Sequence, residues 1–109
     1  MLNQVILVGR LTSDPEAVTL DKGHKKSVFN VAVPRSFKNQ NGEYDTDFIR
    51  CVLWDAIAAS TSEYCKKGDI VGIKGRIQVS VFEKDEKKEY ITEVVAEKVT
   101  FLSSKKHDE

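Results

Sequence analysis

No apolar run in the 109-residue chain approaches the roughly eighteen residues a membrane span needs. The start, Met1-Leu2-Asn3-Gln4, has neither a basic stretch nor a signal-like apolar segment. A soluble cytoplasmic protein with no membrane partner is expected. Cysteine is scarce: Cys51 and Cys65 lack the CxxC spacing of zinc or redox sites, and with only two histidines the usual ligand sets are hard to fill. Neither a disulfide framework, a structural metal nor any other cofactor is expected. Charge of one sign is not in excess, because 17 Lys and Arg cancel 17 Asp and Glu, so any charged site must be local. No Gly-rich phosphate loop follows a strand; Gly72 and Gly75 lie inside one, where they permit close packing or a bend. No repeat or low-complexity linker interrupts the chain. Its length suits one compact domain with a modest core, which association between copies would supplement.

Hydrophobic periodicity supplies the elements. Gln4 to Leu11 is apolar on both faces and reads as a fully buried strand ending at the turn cluster Thr12-Ser13-Asp14-Pro15. Ser27 to Arg35 forms a second strand, and Pro34 marks a bulge or an edge. Asn41-Gly42 suits a hairpin tip, from which Thr46 to Trp54 returns as a third strand. Asp55 is placed to cap a helix over Ala56 to Lys67, with Gly68 at its C′ position. Asp69 to Phe82 alternates strictly, with Val71, Ile73, Ile77, Val79 and Val81 on the expected core face. A solvated charged connector, Glu83 to Glu89, leads to a last strand, Tyr90 to Phe101, and the domain closes near residue 102 before the polar tail, Ser103 to Glu109. Five strands with one helix between the third and fourth is the element order of the OB-fold, an all-β Greek-key barrel; an SH3-like barrel would not need that helix.

Alternation along the third strand puts Phe48, Arg50, Val52 and Trp54 on one face and Ile49, Cys51 and Leu53 on the other. The second set makes a natural interior. Two rings and an arginine are then left outside, on a surface shared with Lys74, Arg76 and Phe82. Rings beside cations suit unpaired nucleic acid: bases stack on the rings for about 1–3 kcal/mol each in proteins that bind single strands, while the cations neutralise phosphates without reading sequence. Aromatics on strands also serve as core or interface. Phe37, flanked by Arg35 and Lys38, either extends this platform along the hairpin or covers the barrel end. Arg10 ends the first strand within possible reach of a phosphate, although arginines so placed are commonly just solvated.

Catalysis finds little support. His24 and His107 fall in no nucleophile or metal motif, Cys51 points to the core, and Cys65 lies on the helix. Asp45, Asp47 and Asp55 are the carboxylates a metal-dependent nuclease would need, but they suit loop and cap positions better. No catalytic residue is expected.

Several segments occur together in order: Asn3-Gln4-Val5-Ile6-Leu7-Val8-Gly9-Arg10-Leu11 with Asp14-Pro15-Glu16; Phe48-Ile49-Arg50-Cys51-Val52-Leu53-Trp54; Tyr64 with Lys67-Gly68; Gly75-Arg76-Ile77; and Thr92-Glu93-Val94-Val95. Through them the chain, from Asn3 to about Leu102, strongly resembles the bacterial single-stranded DNA-binding protein family. The resemblance implies an OB-fold that pairs and usually tetramerises, binding single-stranded DNA with little sequence preference. It implies work in replication, repair, recombination or DNA uptake, at the nucleoid. Its stacking positions match Phe37, Phe48, Trp54 and Phe82, with Arg35, Lys38, Arg50, Lys74 and Arg76 as phosphate partners. Family members commonly end in an acidic tip with a Pro-Phe pair that recruits replication and repair proteins. Here the sequence ends Lys105-Lys106-His107-Asp108-Glu109, so that mode of recruitment is not implied. The competing expectation is an assembly module like primosomal replication protein N, acting mainly through protein contacts.

Overall fold

The structure is a computed structural model and describes residues 1–104. Strand β1 runs Val5–Leu11, a short β2 Val18–Thr19, β3 Lys25–Lys38, β4 Tyr44–Trp54, β5 Ile70–Lys84 and β6 Lys87–Ser103; helix α1, Asp55–Tyr64, joins β4 to β5. The strands form one sheet in the order β1-β5-β6-β4-β3-β2, and β1 also pairs with β3 through Arg10 opposite Ala32 and Leu11 opposite Val31. That second pairing closes the five long strands into a barrel. Most of the expected tail lies outside the described residues.

The barrel fills with one side of each strand. Leu11, Phe29, Val31, Cys51, Leu53, Val71, Ile73, Val94 and Ala96 are buried together, and Ala58 of α1 packs against them. Ile49 packs on this core while only partly buried. Cys51, as expected, lies inside, where burial pushes its thiol up to about 12. At Gly75, a side chain would collide with the Val95 carbonyl, so the β5 and β6 backbones approach as only glycine allows. The β5–β6 register shifts between Lys74 and Gly75, where β6 carries one extra residue, Glu97.

Several sequence expectations are corrected. β1 is not buried on both faces: Ile6 and Val8 are exposed, because the barrel covers only the inner side of β1. Ile77, Val79 and Val81 keep the alternation but are likewise exposed, since the β1–β5 pairing ends at Gly75 and β5 then runs on with β6 into a two-stranded arm with no core to meet. The connector from Glu83 to Glu89 shrinks to the turn Asp85-Glu86. Both residues have positive φ (52° and 64°), the turn geometry that matches the twist of paired strands, and the flanking residues join the hairpin.

The helix stops at Tyr64, not Lys67. Asp69 accepts the Lys66 N–H and Asp14 the Lys67 N–H, while the Gly68 N–H donates to the Leu11 carbonyl, so this segment is tied to the end of β1 instead. Gly68 is therefore not its C′ residue, and Cys65 is the C-cap, its N–H donating to the Thr61 carbonyl. Nor does Asp55 cap the helix. It is the first helical residue, with φ of 52°, and its carboxylate accepts the Lys25 N–H and meets His24. At the β3–β4 hairpin Asn39 accepts the N–H groups of Asn41 and Glu43, and Gly42 alone takes the positive φ. The expected bulge at Pro34 is present, as a register shift between Pro34 and Lys38.

Candidate nucleic-acid interface

β4 runs through the centre of the outer sheet surface between β3 and β6, so alternate residues along it build the site. Arg50 lies opposite Asn30 of β3, and Val52 opposite Val28 of β3 and Val95 of β6. Arg76 of β5 extends that valine row across the sheet. Val52 shares the outer face with the rings yet is only 2% exposed, because Val28 and Val95 flank it; these valines make an apolar floor.

The four predicted stacking rings are all outside the core, with exposures of 64% for Phe37, 65% for Phe48, 40% for Trp54 and 44% for Phe82. Phe29 is the one phenylalanine the core takes. Phe48 stands on β4 opposite Ala32, and Trp54 at its end opposite Lys26, whose Nζ lies 5.1 Å from the indole centroid. Phe82 is carried on the β5–β6 arm, and Phe37 beside the register shift of the β3–β4 hairpin. Sequence reasoning missed Lys26, which only strand register reveals. It also missed Tyr44, exposed and 5.8 Å from Lys38 Nζ, which alternation from Phe48 back through Thr46 would have found.

The predicted cations have unlike surroundings. Arg35 donates from Nε and Nη2 to both oxygens of Asp47 (3.1 and 2.9 Å), and its Nη1 lies 3.8 Å from Asp45. The hydrogen bond from Arg35 holds the Asp47 carboxyl below its usual range, and the Arg35 guanidinium is raised in turn. Arg50 donates through Nε to Glu93 at 2.9 Å. Arg76 donates to Gln78 at 3.2 Å and lies 3.7 Å from Glu97. Arg10 donates to the Gly68 carbonyl at 2.6 Å, so it ties down the segment after α1. Lys74 lies between Ile6 of β1 and Lys98 of β6, past the last β4–β6 pairing, and the register gives it no ring as neighbour.

The carboxylates weighed as metal ligands are occupied: Asp45 and Asp47 by Arg35, Asp55 by the Lys25 N–H and His24. The Lys25 N–H, then His24, hold Asp55 below its ordinary value. Among the described residues no cluster of His, Cys, Asp and Glu is placed to hold a metal.

The model of the single-strand binding protein family matches residues 2–102. A single-stranded DNA-binding protein of Oceanobacillus iheyensis is 50% identical over 96% of this chain and 66% of its own length. Single-stranded DNA-binding protein 3 of Listeria innocua is 46% identical over 98% of the chain and 68% of its own. The chain thus spans about two thirds of these relatives, but 94% of single-stranded DNA-binding protein B of Bacillus subtilis, to which it is 45% identical. Among solved structures, a Plasmodium falciparum SSB in complex with ssDNA superposes with a TM-score of 0.83 at 25% identity, over 94% of this chain and 96% of that one. An OB-fold barrel, a ring-bearing outer face and a match across nearly the whole sequence agree: the chain belongs to the single-strand binding protein family.

Proposed function

We propose that the chain binds single-stranded DNA without sequence preference, holding and protecting unpaired strands during replication, repair, recombination or DNA uptake. The observation that carries this is the exposure of Phe48 and Trp54 on the face that also bears Arg50. Bases stack on the rings, and guanidinium and ammonium groups meet the phosphates. Captured strands cannot re-pair, so hairpins melt by mass action, with no chemical step. Phe37, Phe48, Trp54 and Phe82 are proposed as the stacking residues. Arg50, Arg76 and Lys38 are proposed as the leading phosphate partners, with Lys26 added. Arg35 must first exchange Asp47 for phosphate, and Arg10 and Lys74 contribute from the margin.

Titrating the chain with oligothymidine tests this through Trp54 emission, which should quench and recover at high salt. Phe48→Ala and Trp54→Ala, the latter read by gel retardation, should each weaken binding about 5- to 150-fold, the range measured for base stacking in proteins of this kind. Unchanged emission with no retardation of the oligonucleotide would refute the proposal.

We propose further that the chain works in the cytoplasm at the nucleoid as a homo-oligomer, most simply a tetramer. The exposed Ile6 and Val8 on β1, and Ile77, Val79 and Val81 on β5, support association. Among the described residues no helix is long and apolar enough to cross a membrane.

A further inference from the structure

Glu93 lies on the surface proposed for phosphate, where a carboxylate is electrostatically out of place. Its side chain is only 7% exposed, and both oxygens are occupied: Oε1 accepts from the Ser80 hydroxyl at 2.6 Å and Oε2 from Arg50 Nε at 2.9 Å. The register explains the meeting. Glu93 of β6 and Arg50 of β4 sit side by side, and Ser80 lies one row along on β5. Among the described residues the terminal nitrogens of Arg50 have no hydrogen-bond partner, and the side chain is 35% exposed. Arg35 differs in kind, since its exposed fork is closed by Asp47.

We propose that Glu93 is a positioning residue for DNA capture: clamped by Ser80, it grips Arg50 through Nε so that the two terminal nitrogens are presented to a backbone phosphate between Phe48 and Trp54. This rests on the binding reading above. A long side chain loses rotamer freedom when it meets a ligand. Here that loss is taken during folding, so the guanidinium is already oriented when the strand arrives. Grip at Nε leaves Nη1 and Nη2 able to donate together to one phosphate. Burial pushes the Glu93 carboxyl up, but hydrogen bonds from Ser80 and Arg50, together with the nearby charges of Arg50 and Lys26, outweigh this and keep it below its usual range, so the clamp stays ionised at neutral pH.

The test is a double-mutant cycle on oligothymidine affinity and its salt dependence, with thermal unfolding of each variant. Arg50→Ala and Glu93→Ala should each cost roughly tenfold, and the double variant should be no weaker than Arg50→Ala alone. Both single variants should flatten the log–log salt slope by about 0.7, the loss of one phosphate contact on a single strand. Glu93→Gln, which can still accept from Arg50 and donate to Ser80, should bind within about threefold of the parent. Losses that multiply in the double variant, or an unchanged slope in Glu93→Ala, would reduce Glu93 to a structural role and overturn the proposal. Tighter binding by Glu93→Ala would overturn it too, by making Glu93 a competitor of phosphate. Should Glu93→Ala not fold, Ser80→Ala decides: a two- to threefold loss that vanishes in the Arg50→Ala background supports the clamp, and no loss removes it. If Phe48→Ala and Trp54→Ala also leave affinity unchanged, the binding reading itself fails.

Discussion

Ser27 is the residue whose environment fits it least. It is 1% exposed, and its hydroxyl is the one buried side-chain polar atom without a partner among the described residues. An unmet buried hydroxyl costs about 1–3 kcal/mol, so Ser27→Ala should raise the unfolding midpoint by several degrees, about 4–8 °C per kcal/mol for a domain of this size. A lower midpoint in calorimetry would contradict this. Cys51 and Cys65 are buried, and burial raises both thiols, Cys65 further through Asp69. A thiol reagent at pH 8 should leave both unmodified in the native protein and react with both after denaturation; rapid native labelling would show that the core opens.

Three carboxyls, Asp47, Asp55 and Glu93, lie below their ordinary values of 3.8, 3.8 and 4.5. A depressed carboxyl binds fewer protons folded than unfolded, so its stabilisation is full above the ordinary value and is lost as pH falls through the folded one. Exposure of Asp47 and Asp55 leaves much of their share screened by solvent. Glu93 is the less screened of the three. The melting temperature should be nearly flat from pH 8 to about pH 5 and fall below that, with a shallower fall in Glu93→Gln. A profile flat to about pH 3 would mean these contacts contribute nothing.

At the scale of elements, the β5–β6 arm depends on its turn and on its root. The turn places Asp85 and Glu86 at positive φ, which costs a residue with a side chain more than it costs glycine. Replacing the pair by Asn-Gly should slow amide exchange along Val79–Phe82 and Glu89–Thr92 without changing the sheet register. Unchanged or faster exchange would show that the arm is not limited by its turn. At the root, Gly75→Ala forces a methyl group against the Val95 carbonyl. It should destabilise the domain by about 1–3 kcal/mol, as overpacking does elsewhere, in denaturant unfolding. A neutral result would show that β5 and β6 can separate there at little cost.

The whole molecule balances to zero formal charge, so attraction to DNA rests on where the cations stand. Arg50 and Lys26 lie beside exposed rings, whereas Asp45, Asp47 and Glu93 are taken up by arginines. The barrel leaves apolar strand faces uncovered at Ile6 and Val8 and along Ile77, Val79 and Val81. If copies of the chain cover these stripes, sedimentation at micromolar concentration should give an oligomer. Ile77→Asp with Val79→Asp should lower its mass while leaving a folded barrel. A parent that sediments as a monomer would assign the stripes to another occupant.

Alternation of side chains across a strand is a local, two-residue rule, and for that reason the barrel strands and the ring-bearing face of β4 were legible in the residues alone: Phe48 and Trp54 outside, Cys51 and Leu53 inside. The same rule assigned Ile77, Val79 and Val81 to one face correctly, yet it carries no information on whether another strand lies over that face. That was decided by where the barrel closes, through the β1–β3 pairing. Partnerships across distant strands belong to the same category: Glu93 with Arg50, Lys26 over Trp54, and the Leu11 carbonyl with the Gly68 N–H that follows the early end of α1. Each depends on register between segments far apart in the chain, and register arises only when the whole sheet packs at once.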